Sequence, residues 1–142
     1  MPYKILEEEA TADVAFEAWG NNLNELFESL CLVTNSLMAD LNKIEPKVKK
    51  EISLKEKTVE KLVFNFIDEI IFLKDSEMLL FSRCKAKVRE GKDVYELKAE
   101  LWGEKLDYKK HNLGVDVKAP TMHMFEVKKS KDEWKVHMIL DI

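Results

Sequence analysis

Two aspartates carry the clearest chemistry in this sequence. Asp141 lies in the closing stretch "KVHMILDI", just before Ile142. With the period of two that a strand imposes, Trp134, Val136, Met138, Leu140 and Ile142 point one way. Lys135, His137, Ile139 and Asp141 point the other. Burial of the Ile142 side chain would hold its α-carboxylate close to the carboxylate of Asp141. Two ordered anions repel unless a cation or hydrogen-bond donors neutralise them. A hard, oxygen-liganded cation such as Ca²⁺ or Mg²⁺ suits such a pair, and Mn²⁺ has similar demands. The plain alternative is a solvated Asp141 at an ordinary strand end. Asp13, in "ADVAFEAWG", has a similar placement, opposite the face shared by Ala12, Val14, Phe16 and Ala18. If the first and last strands approach, three carboxylates converge.

Other chemistries find less support. His111, His123 and His137 have no tight zinc spacing, and the latter two read as strand-face residues. "DLNKIEPKVKKE" imitates a Ca²⁺ loop through Asp40, Asn42 and Glu51, but Ile44 and Glu45 occupy a ligand position and the required glycine. Only four glycines are present and none forms a phosphate-cradling loop. No serine or cysteine sits in a nucleophile motif. Cys31 and Cys84 read as solitary reduced thiols, which points to the cytoplasm. The N-terminus lacks a signal-peptide pattern and no apolar run reaches membrane-spanning length, so no membrane partner is expected. Net charge is −4, with lysines and acids intermixed. A free-standing nucleic-acid binder usually shows a basic patch or stripe and none is evident here, so direct, tight RNA binding is disfavoured, leaving room for a local patch.

The elements that must position the aspartates follow from periodicity. "ADVAFEAWG" reads as a strand closed by Gly20. "NNLNELFESLCLVTNSLMADL" then turns helical, with Leu23, Leu26, Phe27, Leu30, Thr34, Leu37, Met38 and Leu41 on one stripe and Asn22 as cap, Glu25 following three residues on. "VKKEISL" reads as a strand. "TVEKLVFNFIDEIIFL" is a second helix, capped by Thr58, that buries Val59, Leu62, Val63, Phe66, Ile67, Ile70 and Ile71. "MLLFSRCKAKV" and "VYELKAELW" flank the turn "REGKD". The stretch "GEKLDYKKHNLGVD" lacks periodicity, and a loop of that length is often functional. "DVKAPTMHMFEVK" and "WKVHMILDI" read as two closing strands. Residues 1–142 suit one domain, of α+β class, with two amphipathic helices on one face of a mixed, mostly antiparallel sheet.

Taken together, "ATADV" near the start, "GEKLDYKKHNLGVDVKAPTMHMFEV" in the last third and the final "LDI" resemble the archease family over essentially the whole chain. The resemblance implies a non-enzymatic protein cofactor of the RtcB-type tRNA-splicing RNA ligase. Such a protein promotes guanylylation of the ligase, sustains multiple turnover and broadens nucleotide use, meeting RNA only through the ligase. It also implies a divalent cation, usually Ca²⁺, held by Asp13, Asp141 and the terminal carboxylate of Ile142. Lys110, His111, Asp116, Lys118 and His123 match the family's pattern and are expected to contribute to the ligase-contacting surface. Ala10 stands where the family usually has histidine, and Pro120 and Met122 where it usually has isoleucine and tyrosine. A small metal-dependent hydrolase or nuclease, and a chaperone-like module for RNA-processing enzymes, are the competing readings.

Overall fold

The computed structural model describes residues 2–6 and 13–142. Ala10, Thr11 and Ala12 of the N-terminal motif lie outside the described residues. In chain order the elements are β1 (Tyr3–Ile5), β2 (Asp13–Gly20), α1 (Leu23–Met38), β3 (Val48–Glu56), α2 (Val59–Glu77), β4 (Leu79–Gly91), β5 (Val94–Lys105), β6 (Ala119–Pro120), β7 (Glu126–Lys129) and β8 (Trp134–Asp141). The class is α+β, as expected, but the strands divide between two sheets. One runs β1-β2-β8-β6 with β7 also on β8; the other runs β3-β5-β4. Every described pairing is antiparallel.

The helices form where cap and stripe coincide. Asn22 adopts extended backbone and its side chain accepts from the Glu25 N–H at 2.9 Å. Glu25 returns a bond to the Asn21 N–H rather than to the cap residue itself. Thr58 caps α2 by accepting from Lys61 N–H at 3.1 Å. Both predicted stripes are buried, except that Leu41 falls in a separate 3-10 turn, Leu41–Lys43, opened by the Asp40 side chain. Phe27 of α1 and Phe66 of α2 meet edge to face, 5.3 Å between centroids, at the centre of the core.

Helix α1 also closes an edge. A terminal strand leaves a row of unpaired N–H groups. On β4 those of Phe81, Ala86 and Val88 are taken by the side chains of Asn35, Glu28 and Asn24, at 2.9, 2.9 and 2.8 Å. Asn35 is wholly buried and is held in turn through a bond to the Cys31 carbonyl. This docking brings Cys31 beside Cys84. The two cysteines are free but not solitary: the hydrogen bond that the Cys31 thiol gives to Cys84, then burial, push the Cys31 thiol pKa up.

Three local expectations are corrected. Strand β1 has no alternating apolar pattern in "YKI", yet it pairs with β2 from Tyr3↔Ala18 to Ile5↔Phe16. "DVKAPTMHMFEVK" is not one strand. It is broken after Pro120, where Thr121 turns both its N–H and its hydroxyl onto the Ile139 carbonyl and Met124 takes a left-handed φ of 53°. His123 accordingly lies in an exposed turn, whereas His137 does sit on a strand.

Candidate metal centre

Strands β2 and β8 pair without interruption from Gly20↔Trp134 to Asp13↔Asp141. Directly opposed residues of an antiparallel pair project from the same face, with Cβ atoms about 5 Å apart. The two carboxylates therefore share one side of the sheet, away from the core face that buries Val14, Phe16, Met138 and Leu140. On the other side of Asp141 stands Ala119 of β6. Both aspartates are half-buried, and neither makes an ion pair among the described residues. Like charges directly opposite destabilise a sheet, so this arrangement favours a neutralising cation. The donor set is all carboxylate oxygen, which fits Ca²⁺ or Mg²⁺ and not a thiophilic metal. Ile142 follows directly and packs its side chain against the core. Among the described residues no three His, Cys, Asp or Glu side chains converge on one point.

The loop 106–118 leads to this site and is pinned at both ends. At its start, His111 is wholly buried. Its Nδ1 accepts from the Asp107 N–H at 2.9 Å, which leaves the ring proton on Nε2, donated to Glu104 at 2.9 Å. Glu104 also accepts from the Glu45 N–H at 2.7 Å and from Lys110 at 3.0 Å. Burial would raise the Glu104 pKa. The Glu45 N–H, Lys110 and His111 outweigh it and bring the value from 4.5 down to about 2. In the middle, the N–H groups of Gly114 and Val115 bond the last carbonyls of α1, those of Met38 and Leu37. A Cβ on Gly114 would lie 2.3 Å from the Leu37 oxygen, so only glycine permits this approach. At its end, Lys74 of α2 is buried and donates to the Val117 carbonyl and to Asp116. Burial opposes its charge, but Asp116 and Asp75 prevail and its pKa is raised. The Lys118 N–H then bonds the Asp141 carbonyl at 2.8 Å.

The Archease protein family (MTH1598/TM1083) model matches residues 3–142. The chain belongs to the archease family. Relatives named "Protein archease" include one from Pyrobaculum islandicum, 39% identical over 94% of this chain and 92% of its own length. Another, from Thermococcus gammatolerans, is 34% identical over 94% and 95%. The solution structure of Methanobacterium thermoautotrophicum protein 1598 superposes with a TM-score of 0.86 at 30% identity, covering 99% of both chains. A Thermotoga maritima protein described as an archease and possible chaperone shares the fold, with a TM-score of 0.62 at 20% identity over 96% of both chains.

In this archease the residues expected at a contact surface separate. His111 is corrected outright: its ring is enclosed and both nitrogens are engaged, so it positions the loop and cannot touch a partner. Lys110 is half-buried and tied to Glu104 and Glu45. Asp116 is exposed but paired with Lys74. Lys118 and His123 are exposed, the former beside the aspartates through its backbone bond. Sequence reasoning missed Glu104 and Lys74. Glu104 falls in the stretch read as an aperiodic loop, although β5 runs on to Lys105, and Lys74 lies one residue beyond the helix read to Leu73, so nothing local marks either as buried.

The Glu104 cluster gives a measurable pH signature. A carboxylate whose folded pKa is depressed adds stability that is complete above its unfolded pKa and vanishes as pH falls through the folded one. Glu104→Gln should therefore cost about 2 kcal/mol at pH 7. The gap to the parent should hold down to pH 4.5 and close as pH falls toward about 2. Thermal melts of both proteins across that range check this. A pH-independent gap would show that Glu104 acts by shape alone.

Proposed function

We propose that this protein activates an RtcB-type tRNA-splicing RNA ligase without catalysis of its own, promoting ligase guanylylation and repeated turnover and broadening nucleotide use. A divalent cation, Ca²⁺ by preference over Mg²⁺ or Mn²⁺, belongs between Asp13 and Asp141, with the carboxylate of Ile142 as third oxygen donor. The observation that carries this reading is the direct opposition of Asp13 and Asp141 across paired strands, with no cation from the described residues to separate them. When bound, the cation neutralises that repulsion and supplies a compact positive charge at the sheet end. Lys118 and His123 are the exposed members of the expected ligase-contacting set; Lys110, His111 and Asp116 hold the loop that leads to Lys118. No helix of the described residues is long and apolar enough to cross a membrane.

A ligation assay with ligase below stoichiometric amounts tests the proposal. Added protein should raise joined RNA well beyond one product per ligase and do nothing without ligase. RNA cleavage by the protein alone would instead make it a hydrolase. Equal protection of unrelated enzymes from inactivation, without a gain in ligase turnover, would make it a chaperone.

A further inference from the structure

The exposed face of the three-stranded sheet has a charge opposite to that of the chain. Strand β4 presents Arg83, Lys85, Lys87 and Arg89 at every second position, all exposed, although the net charge is −4. The register sets them in rows across the sheet. Arg83 lies beside Trp102, with its guanidinium carbon 4.9 Å from the ring centroid. Lys85 stands opposite Glu100, Lys87 opposite Lys98, and Arg89 opposite Glu96. From β3, Lys49 and Lys55 join the first and last rows, Glu51 the second, and uncharged Ser53 the third.

The acids present do not cancel this field. Glu96 pairs with Arg89 at 2.7 Å, and Glu100 and Glu51 both pair with Lys49, at 3.1 and 3.7 Å. Lys85, Lys87 and Lys98 have no ion pair among the described residues. They bound a shallow groove of about 280 Å³ together with Ser53, Glu51 and Glu100. Two lysines directly opposite destabilise a sheet, so the Lys87–Lys98 pair works against the fold. Protection of a sheet edge does not account for it. Lysines on edge strands deter unwanted pairing, but α1 already occupies the outward N–H groups of β4 at Phe81, Ala86 and Val88.

We propose that this face docks single-stranded nucleic acid, its phosphates following β4 and a base stacking at the Arg83–Trp102 end. Alternate residues of a strand recur about every 6.7 Å, an interval close to that of successive phosphates in an extended strand. A linear track of cations ending in a planar aromatic and guanidinium platform is the combination single strands need. An acidic protein surface would require the charge but not the periodic track or the stacking plane. The site is separate from the aspartates and does not rest on the ligase reading.

The test is fluorescence anisotropy of a labelled ten-nucleotide single-stranded RNA with the full chain, from 50 to 200 mM salt. Binding should be micromolar at low salt, with a log–log salt slope of about −2 to −3, reflecting three or four phosphate contacts. Lys85→Gln with Lys87→Gln and Lys98→Gln should weaken binding at least tenfold and flatten the slope by about 2. Thermal stability should be unchanged or raised, because the opposed lysines are gone. Lys87→Gln alone should weaken binding about threefold, and Asp13→Asn with Asp141→Asn should leave it intact. Absent binding at 50 mM salt, or equal binding by the triple variant, overturns the proposal. An oligoglutamate peptide of equal length binding as tightly, with the same lysine dependence, would reassign the face to an acidic protein partner.

Discussion

Gly103→Ala should destabilise the protein by on the order of 4 kcal/mol, near the top of the range for single substitutions. Gly103 lies in β5 between Val48 of β3 and Phe81 of β4, beside the β4 bulge that falls between Phe81 and Arg83. A Cβ there would sit 1.8 Å from the Leu80 oxygen and 2.8 Å from the Phe81 Cα. Both atoms are backbone, so no side chain can rotate away; the strands must part. Parting them displaces the Phe81 N–H from Asn35 and shifts Glu104, the next residue, with the bonds that hold the loop. Gly91→Ala is the control: its new Cβ would meet mainly the Val94 side chain, at 2.9 Å, on an exposed turn. Urea unfolding of the two variants checks this. A midpoint for Gly103→Ala matching that of Gly91→Ala would show that the strands accommodate the methyl.

Asp13→Asn and Asp141→Asn, singly, should each remove most ligase stimulation while leaving the circular dichroism spectrum unchanged. Asparagine keeps the size and loses the charge, so each change takes one anionic oxygen ligand from a site with few. Removing one of two opposed carboxylates also relieves repulsion in the metal-free protein. Each variant should thus melt at or above the parent temperature without Ca²⁺ and gain less stability when Ca²⁺ is added, since stabilisation by a ligand scales with its occupancy. Guanylylation measured over a Ca²⁺ titration separates two routes. Loss that excess Ca²⁺ repairs places the aspartates with the metal; loss at saturating Ca²⁺ places them against the ligase. Full stimulation by both variants would remove Asp13 and Asp141 from the function.

Much of this was legible in the chain because it is local. Asn22 and Thr58 announce helix starts through a side chain and an N–H three residues on, and the stripes of α1 and α2 follow from one period. The aspartates were legible as a face, by the period of two, but their meeting depends on the β2–β8 register, which no short stretch encodes. The division into two sheets was hidden for the same reason: partner choice is a property of distant segments. His111 was misread as a surface group because an aperiodic loop carries no signal of burial. Its position is set by Glu104 and by the loop's contact with the end of α1. The basic track in "RCKAKVR" was missed because lysines and acids intermix along the chain, and which of them share a sheet face depends on the β4–β5 register.

The closure of β4 by α1 has a consequence for self-assembly. Two copies could join the three-stranded sheet only through β3, the edge without a described helix clasp. Such a junction is reciprocal, each β3 against the other, and it leaves β4 outermost on both sides, where Asn24, Glu28 and Asn35 already hold the N–H groups. Growth through this sheet therefore terminates at two copies. The helix acts as a chain stopper, and a filament would first have to peel it from the core.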